Sequence, residues 1–174
     1  MSTITPGTLR HDRLVDALFA VLAEGTPGLL DHLLGAAAAA ERDQAPPELV
    51  AAALLHDIGH LLADAKSTER HEEVGGAFLQ GWFPAGVVQP VRLHVAAKRY
   101  LCTISPTYLD RLSAGSRRRF DGQGGPMSRY ELEVFESSTH AAASCRLRRY
   151  DDQPGGPRAS GLEHYRPVLR SVAR

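Results

Sequence analysis

The sequence is poor in cysteine, in aromatic residues and in net charge. Its two cysteines, Cys102 and Cys145, make no disulfide framework, and neither stands in a Cys-x-x-Cys pair, a usage that fits a reducing cytoplasm. Twenty Lys and Arg offset twenty Asp and Glu. Zero formal charge argues against a nucleic-acid coat or a polybasic membrane binder, although it leaves room for one local basic pocket. No apolar run approaches the ~18 residues of a membrane-spanning helix. The opening MSTITPGTLRHDR lacks the apolar stretch expected of a signal peptide. Two-residue alternation is almost missing, so strands are not expected. Present instead are 43% apolar residues in a chain of 174, enough for one compact domain with a substantial core. Eight histidines are also present, most of them set in apolar helical patterns.

Helical spacing organises nearly the whole chain. Leu14, Leu18, Val21 and Leu22 recur over 9–23, Thr26-Pro27-Gly28 breaks that helix, and the alanine-rich run 29–42 makes a second. Pro46-Pro47 opens a third, which carries LVAAALLHD and ends or kinks at Gly59. Thr68, with Glu72 shortly after it, starts a helix over 69–81, and another runs over 86–98 despite Pro90. Shorter pieces occupy 106–120, the glycine-rich 122–126 reads as a loop, and two helices follow at 127–136 and 139–150. DDQPGGPRASG is loop-like, and the last dozen residues read as a peripheral helix. The expectation is all-α: a single domain over 1–174, with its core at about 29–152 and a peripheral tail at 153–174.

The chemistry enters at His56-Asp57. Eight His and ten Asp would place about 0.5 such pairs by chance, and His11-Asp12 is a second, polar example. Context separates the two. The apolar run Leu49–Leu55 delivers His56 and Asp57 into a core, where a charged Asp is costly unless it is paired or metal-bound. His60 follows four residues later, on the same helical face if the helix persists. His32, His71 and His94 have similar apolar settings on three other predicted helices, and Asp151 can add a carboxylate. A helical bundle builds a metal site from such side chains on facing helices. Imidazole and carboxylate without thiolate suit iron, manganese or zinc. Six candidate ligands exceed the needs of one structural zinc, and fit two ions roughly 3.5–4 Å apart with Asp57 between them.

The order His32, His56-Asp57, His71, His94, Asp151 resembles the HD-domain superfamily. The stretches LLHDIGHLL, HEEVGGAFLQGWFP, PVRLHVAAKRYLC, QGGPMS and LRRYDD are similar to one branch of it, across most of 29–152. That branch is the mixed-valent diiron oxygenases of phosphonate catabolism, the PhnZ-like proteins, distant relatives of myo-inositol oxygenase. The resemblance implies an HD-type helical bundle and His32, His56, Asp57, His71, His94 and Asp151 as ligands. Asp57 would bridge two iron ions in the Fe(II)/Fe(III) state, with O2 as co-substrate. Asp151 is preferred to the adjacent Asp152 as the first Asp of the family's pair. The implied reaction hydroxylates the carbon bearing phosphorus of a small organophosphonate and cleaves the C–P bond. His60 and Lys98 take catalytic roles, and His60, Lys98, Ser116 and Arg148 surround the phosphonate.

Spacing agrees with that assignment. Lys98 is one turn after His94, and Arg148 one turn before Asp151, where its fork suits a tetrahedral oxyanion. Gln123, beside Gly124-Gly125, adds a loop contact to the substrate. Arg117-Arg118-Arg119 reads as a solvated face. The expected partner is therefore a small anionic molecule, with no nucleic acid and no membrane.

The resemblance fails ahead of the first histidine, where the family carries a tyrosine and a glutamate in a Tyr-x-Gly-Glu-like segment that senses a substrate amino group. Here those positions fall on Leu22 and Gly25, with Glu24 one residue off register. Leu22 is then expected to present apolar surface near the site's mouth, and an aminated substrate to be a poor one. The Ala-Lys that follows the Asp pair in the family is replaced by Gln153-Pro154. The alternative activity is a metal-dependent phosphohydrolase acting on a phosphate ester or nucleotide. A third class, a non-enzymatic anion-binding module, is disfavoured because no candidate ligand is missing.

Overall fold

The computed structural model describes residues 6–62, 70–153 and 161–174. Among the described residues there are eleven α-helices and no strand. They are α1 (Pro6–Ala23), α2 (Pro27–Arg42), α3 (Pro47–Leu55), α4 (Gly59–Leu62), α5 (His71–Leu79) and α6 (Ala85–Ile104). Then come α7 (Pro106–Arg111), α8 (Ala114–Gly122), α9 (Arg129–Glu136), α10 (Ala141–Asp151) and, after a 3₁₀ turn at Leu162–Tyr165, α11 (Arg166–Val172). Two expectations, the helix start at Thr68 and the loop around Pro154, lie outside the described residues. No helix described is long and apolar enough to cross a membrane.

Local chemistry sets the ends of these helices. Thr26 caps α2 by accepting from the Leu29 amide, and Pro27 occupies the first turn, where its missing N–H costs nothing. Ser105, Ser113 and Ser128 cap α7, α8 and α9 in the same way, Ser128 in a reciprocal capping box with Glu131. Pro90 sits in the second turn of α6 without ending it. That twenty-residue helix packs against α3, α5 and α10, so tertiary contact outweighs one lost backbone bond.

The core lies around α3, whose seven residues Leu49–Leu55 are all buried. Ala51, Ala52 and Ala53 let α2, α6 and α11 approach it closely, and most of the buried apolar residues form one contiguous cluster with it. The C-terminal helix is not a peripheral tail. Tyr165 and Leu169 are fully buried in that cluster, and α11 packs on α3. Leu22 differs from expectation as well: it is a core residue at 1% exposure, not apolar surface near a site.

One close approach places the functional residues. The third helix stops at Leu55, residues 56–58 form a turn, and α4 restarts at Gly59. A Cβ at Gly59 would lie 1.9 Å from the carbonyl oxygen of His71. Only glycine lets the start of α5 rest on this turn, and the contact brings His71 beside Asp57.

Candidate metal centre and anion pocket

The six expected ligands come from four helices and the turn after α3, and they gather around Asp57. His32 stands on α2, His56 and Asp57 on the turn after α3, His71 at the first position of α5, His94 on α6, and Asp151 at the end of α10. Asp57 Oδ2 lies 3.6 Å from His56 Nε2 and 3.9 Å from His32 Nε2. Asp57 Oδ1 lies 3.3 Å from His71 Nε2 and 3.5 Å from His94 Nε2. Each of its oxygens thus faces its own pair of imidazoles, and Oδ1 has His60 Nε2 at 4.0 Å as well. Asp151 Oδ1 joins the first pair, 3.0 Å from His32 Nε2 and 3.6 Å from His56 Nε2. Asp152 does not: its carboxylate accepts from Tyr108 and Arg148 instead. The geometry therefore separates two adjacent aspartates that sequence order alone barely distinguished.

Hydrogen bonds behind the rings aim the ligand nitrogens inward. His56 Nδ1 is 2.9 Å from the Ala53 carbonyl, and His94 Nδ1 is 2.7 Å from the Val91 carbonyl. A carbonyl only accepts, so in the neutral rings Nδ1 holds the hydrogen and the Nε2 lone pair points into the cage. His71 is oriented by a carboxylate: Glu72 Oε2 lies 3.3 Å from His71 Nδ1, and Glu72 is almost fully buried. The Nε2 atoms then pair at 3.2 Å, His32 with His56 and His71 with His94. Facing lone pairs repel unless a proton or a cation sits among them.

Charge favours the cation. Burial opposes ionisation of Asp57, but His56, His71 and His94 outweigh it and hold the carboxyl well below the usual range. Burial is likewise overridden at Asp151, mainly by Arg148 and then by His56. At His56 burial lowers the pKa, while Asp57 and Asp151 lift it to about 9. Both carboxylates therefore face His56 in their ionised form, an arrangement that attracts a cation to this point. The donor set of four imidazoles and two carboxylates fits a pair of hard or borderline divalent or trivalent ions.

Beside the ligands opens a cavity of about 720 Å³, which all the remaining predicted site residues line. Lys98 is 3% exposed there, and burial, then Arg148, brings its pKa down to about 8. Ser116 is buried on α8, and the side-chain oxygen of Gln123 is buried with no hydrogen-bond partner among the described residues. His60 is half exposed and stacks on His71, with ring centroids 4.0 Å apart. Its pKa is lowered by burial and then by His71, so the ring is neutral near pH 7. Arg148 lines the cavity too, but its fork already binds Asp151 and Asp152. It braces the candidate ligand Asp151 as well as facing the pocket.

Sequence reasoning missed four residues. Glu72 was read only as a helix-start signal, and Tyr108, which anchors α7 to Asp152, not at all. Arg111 and Arg119 also line the cavity. Arg119 belongs to the run read as a solvated face; its spacing from Ser116 and Gln123, three before and four after, was the available signal. Neither Leu22 nor Glu24 reaches the cavity, whose wall on that side is Leu29.

No protein-family model matches the chain. It is 39% identical over 142 residues to a hydroxymethylphosphonate dioxygenase of Gimesia maris, covering 77% of this chain and 69% of the relative. It is 38% identical over 155 residues to the glycine-betaine-forming [1-hydroxy-2-(trimethylamino)ethyl]phosphonate dioxygenase of Leisingera caerulea, covering 83% and 78%. Both relatives bear out the resemblance carried by the motifs, and the chain belongs to the PhnZ-like family of phosphonate dioxygenases.

Proposed function

We propose that the protein uses two iron ions and O2 to cleave the C–P bond of a small 1-hydroxyphosphonate, leaving a carboxylate and phosphate. For hydroxymethylphosphonate, the compound named for one relative, the products would be formate and phosphate. The substrate's C–H and C–P bonds then supply all four electrons that O2 takes up, and no outside reductant is needed. The observation that carries the reading is Asp57, whose two oxygens each face a separate histidine pair. His32, His56 and Asp151 would hold one ion with Asp57, and His71 and His94 the other. Bound there, a mixed-valent Fe(II)/Fe(III) pair would supply the reduction of dioxygen and the removal of hydrogen from carbon.

The chain's own residues bind and orient. Lys98 presents a buried ammonium to the phosphonate, with the Ser116 hydroxyl and the Gln123 amide beside it. Gln123 lines the same cavity, where its amide can bond a substrate oxygen. His60, neutral and stacked on His71, stands at the edge of the cage, where its imidazole can hold or release a substrate proton. Leu29 and Val95 give the reacting carbon an apolar wall.

The test combines metal analysis, EPR of aerobically purified protein, and matched O2 and phosphate measurements on hydroxymethylphosphonate. Two irons per chain, a coupled mixed-valent signal and one phosphate per O2 are expected. Zinc in the cage with phosphate-ester hydrolysis and no O2 uptake would replace this reading with the phosphohydrolase.

A further inference from the structure

The cavity holds more positive charge than one phosphonate needs. Lys98 and Arg148 face it from α6 and α10, next to the ligands. Arg111 and Arg119 face it from α7 and α8, helices that carry no ligand. Among the described residues, neither of these two arginines lies within ion-pair distance of a carboxylate, whereas Arg117 in the same run reaches Asp110. Arg119 is close enough to Lys98 to make its protonation harder. Two exposed arginines at the rim are hydrated and cost little alone. No carboxylate among the described residues competes for their forks, and they give an anion entering the cavity a second point of attraction.

Negative and aromatic groups are scarce in the same wall. Among the described residues its three carboxylates are Asp57 and Asp151, which belong to the cage, and Asp152, which is held by Arg148 and Tyr108. No Phe, Tyr or Trp lines it among the described residues. Among the described residues, a substrate ammonium or trimethylammonium would find no free carboxylate and no Phe, Tyr or Trp face. Space is ample. Hydroxymethylphosphonate has six non-hydrogen atoms, on the order of 180 Å³ at water-like packing, in a cavity of about 720 Å³.

We propose that the cavity is built for a 1-hydroxyphosphonate with a second anionic arm, such as a carboxylate, which Arg111 and Arg119 bind on the side away from the cage. This substrate class rests on the phosphonate dioxygenase reading. Arginine suits the role, because its planar fork stays charged and matches a carboxylate with two parallel hydrogen bonds. Both side chains are exposed, so they can be altered without disturbing the core.

The test is anaerobic calorimetry on the iron-loaded protein with three probes: hydroxymethylphosphonate, 2-amino-1-hydroxyethylphosphonate and 3-hydroxy-3-phosphonopropanoate. The carboxylate compound should bind at least tenfold more tightly than the amino compound. In the Arg111→Gln/Arg119→Gln double variant that margin should fall below threefold. Equal affinities, an amino preference, or an equal loss for all three probes would overturn the assignment. O2 uptake is read in parallel. Preferential binding of the carboxylate compound with no O2 uptake from any probe would break the oxygenase reading and leave the anion site standing. Turnover of hydroxymethylphosphonate without the binding preference would do the reverse.

Discussion

The two sides of the cavity are built differently. The candidate-ligand side is made by α2, α3, α5, α6 and α10, whose apolar faces form the main core, so each histidine ring stands on a packed helix or on the turn that ends one. The opposite side is made by α7 and α8, six and nine residues long, in which only Ser116 and Phe120 are buried. On the first side carboxylates face imidazoles and Arg148, and only Lys98 is left without an ion pair among the described residues. The second leaves two arginines unpaired among the described residues. Ligation tolerates errors of only a few tenths of an ångström and needs rigid support. Substrate selection can sit on short surface helices, where a changed side chain alters little else.

The largest effect expected on this division comes from Asp57, because it faces both ligand pairs. Asp57→Ala should lose both ions and all oxygenase activity, together with the gain in melting temperature that metal confers on the wild type. Metal counting and thermal scans with and without iron check this. Two ions retained would break the bridging assignment and, with it, the idea of a single cage. Next in size is Glu72→Gln. A carboxylate behind a ligand histidine typically contributes 10–100-fold in metal affinity, so the ion on the His71–His94 side should weaken by that order and the other ion should not. Equal weakening of both would mean that Glu72 merely stabilises α5.

A third comparison separates the two inner cations. Lys98 makes no ion pair with a described carboxylate, whereas Arg148 holds Asp151 and Asp152. Lys98→Met should weaken phosphonate binding by roughly 1.5–3 kcal/mol, as for a lost charged hydrogen bond, with normal iron content. Arg148→Met should lose phosphonate binding and iron together, since it frees a ligand carboxylate. Calorimetry with parallel metal analysis distinguishes them. Normal iron in the Arg148 variant would return that residue to the substrate side of the comparison.

This division also explains what could be read in advance. The grouping of candidate ligands was legible because His32, His56 and His94 stand at helical spacing within apolar patterns, and a polar side chain sent into a core demands a partner. His56-Asp57 after Leu49–Leu55 is the clearest case. The far wall was not legible. Arg119 looks like its neighbours Arg117 and Arg118 until the direction of α8 is known, and Arg111 has no pattern around it. Tyr165 and Leu169 were misjudged for a related reason: a proline- and glycine-rich stretch before them suggested a tail, and the contact with α3 is long-range. Glu72 escaped because an acidic residue near a helix start ordinarily interacts with the helix dipole, while here its carboxylate turns towards a ring. Placing Leu22 at the mouth assumed a register that α1 does not keep, since its inner face is spent on the core.

The smallest expected effect is a pH dependence, and it tests whether Lys98 is buried charge or surface charge. An exposed lysine would stay protonated far above neutral pH; burial and Arg148 bring Lys98 down to about 8. Between pH 7 and 9 its protonated fraction should fall from about 0.9 to about 0.1, and its attraction for an anion should fall with it. Phosphonate affinity should therefore decline by less than about tenfold across that interval. Stability should move the other way. The folded pKa lies below the value of 10.5 for a free lysine, so from pH 8 to 10.5 the unfolded chain holds more protons and this group's contribution to stability rises with pH. Opposite slopes in binding and stability, both removed in Lys98→Met, are the signature of one buried amine. Lys98→Arg sharpens the result, because a guanidinium keeps its charge throughout and should flatten the binding limb. A decline in affinity that persists in Lys98→Arg would assign the titration to another group and leave Lys98 a positioning residue on the cavity wall.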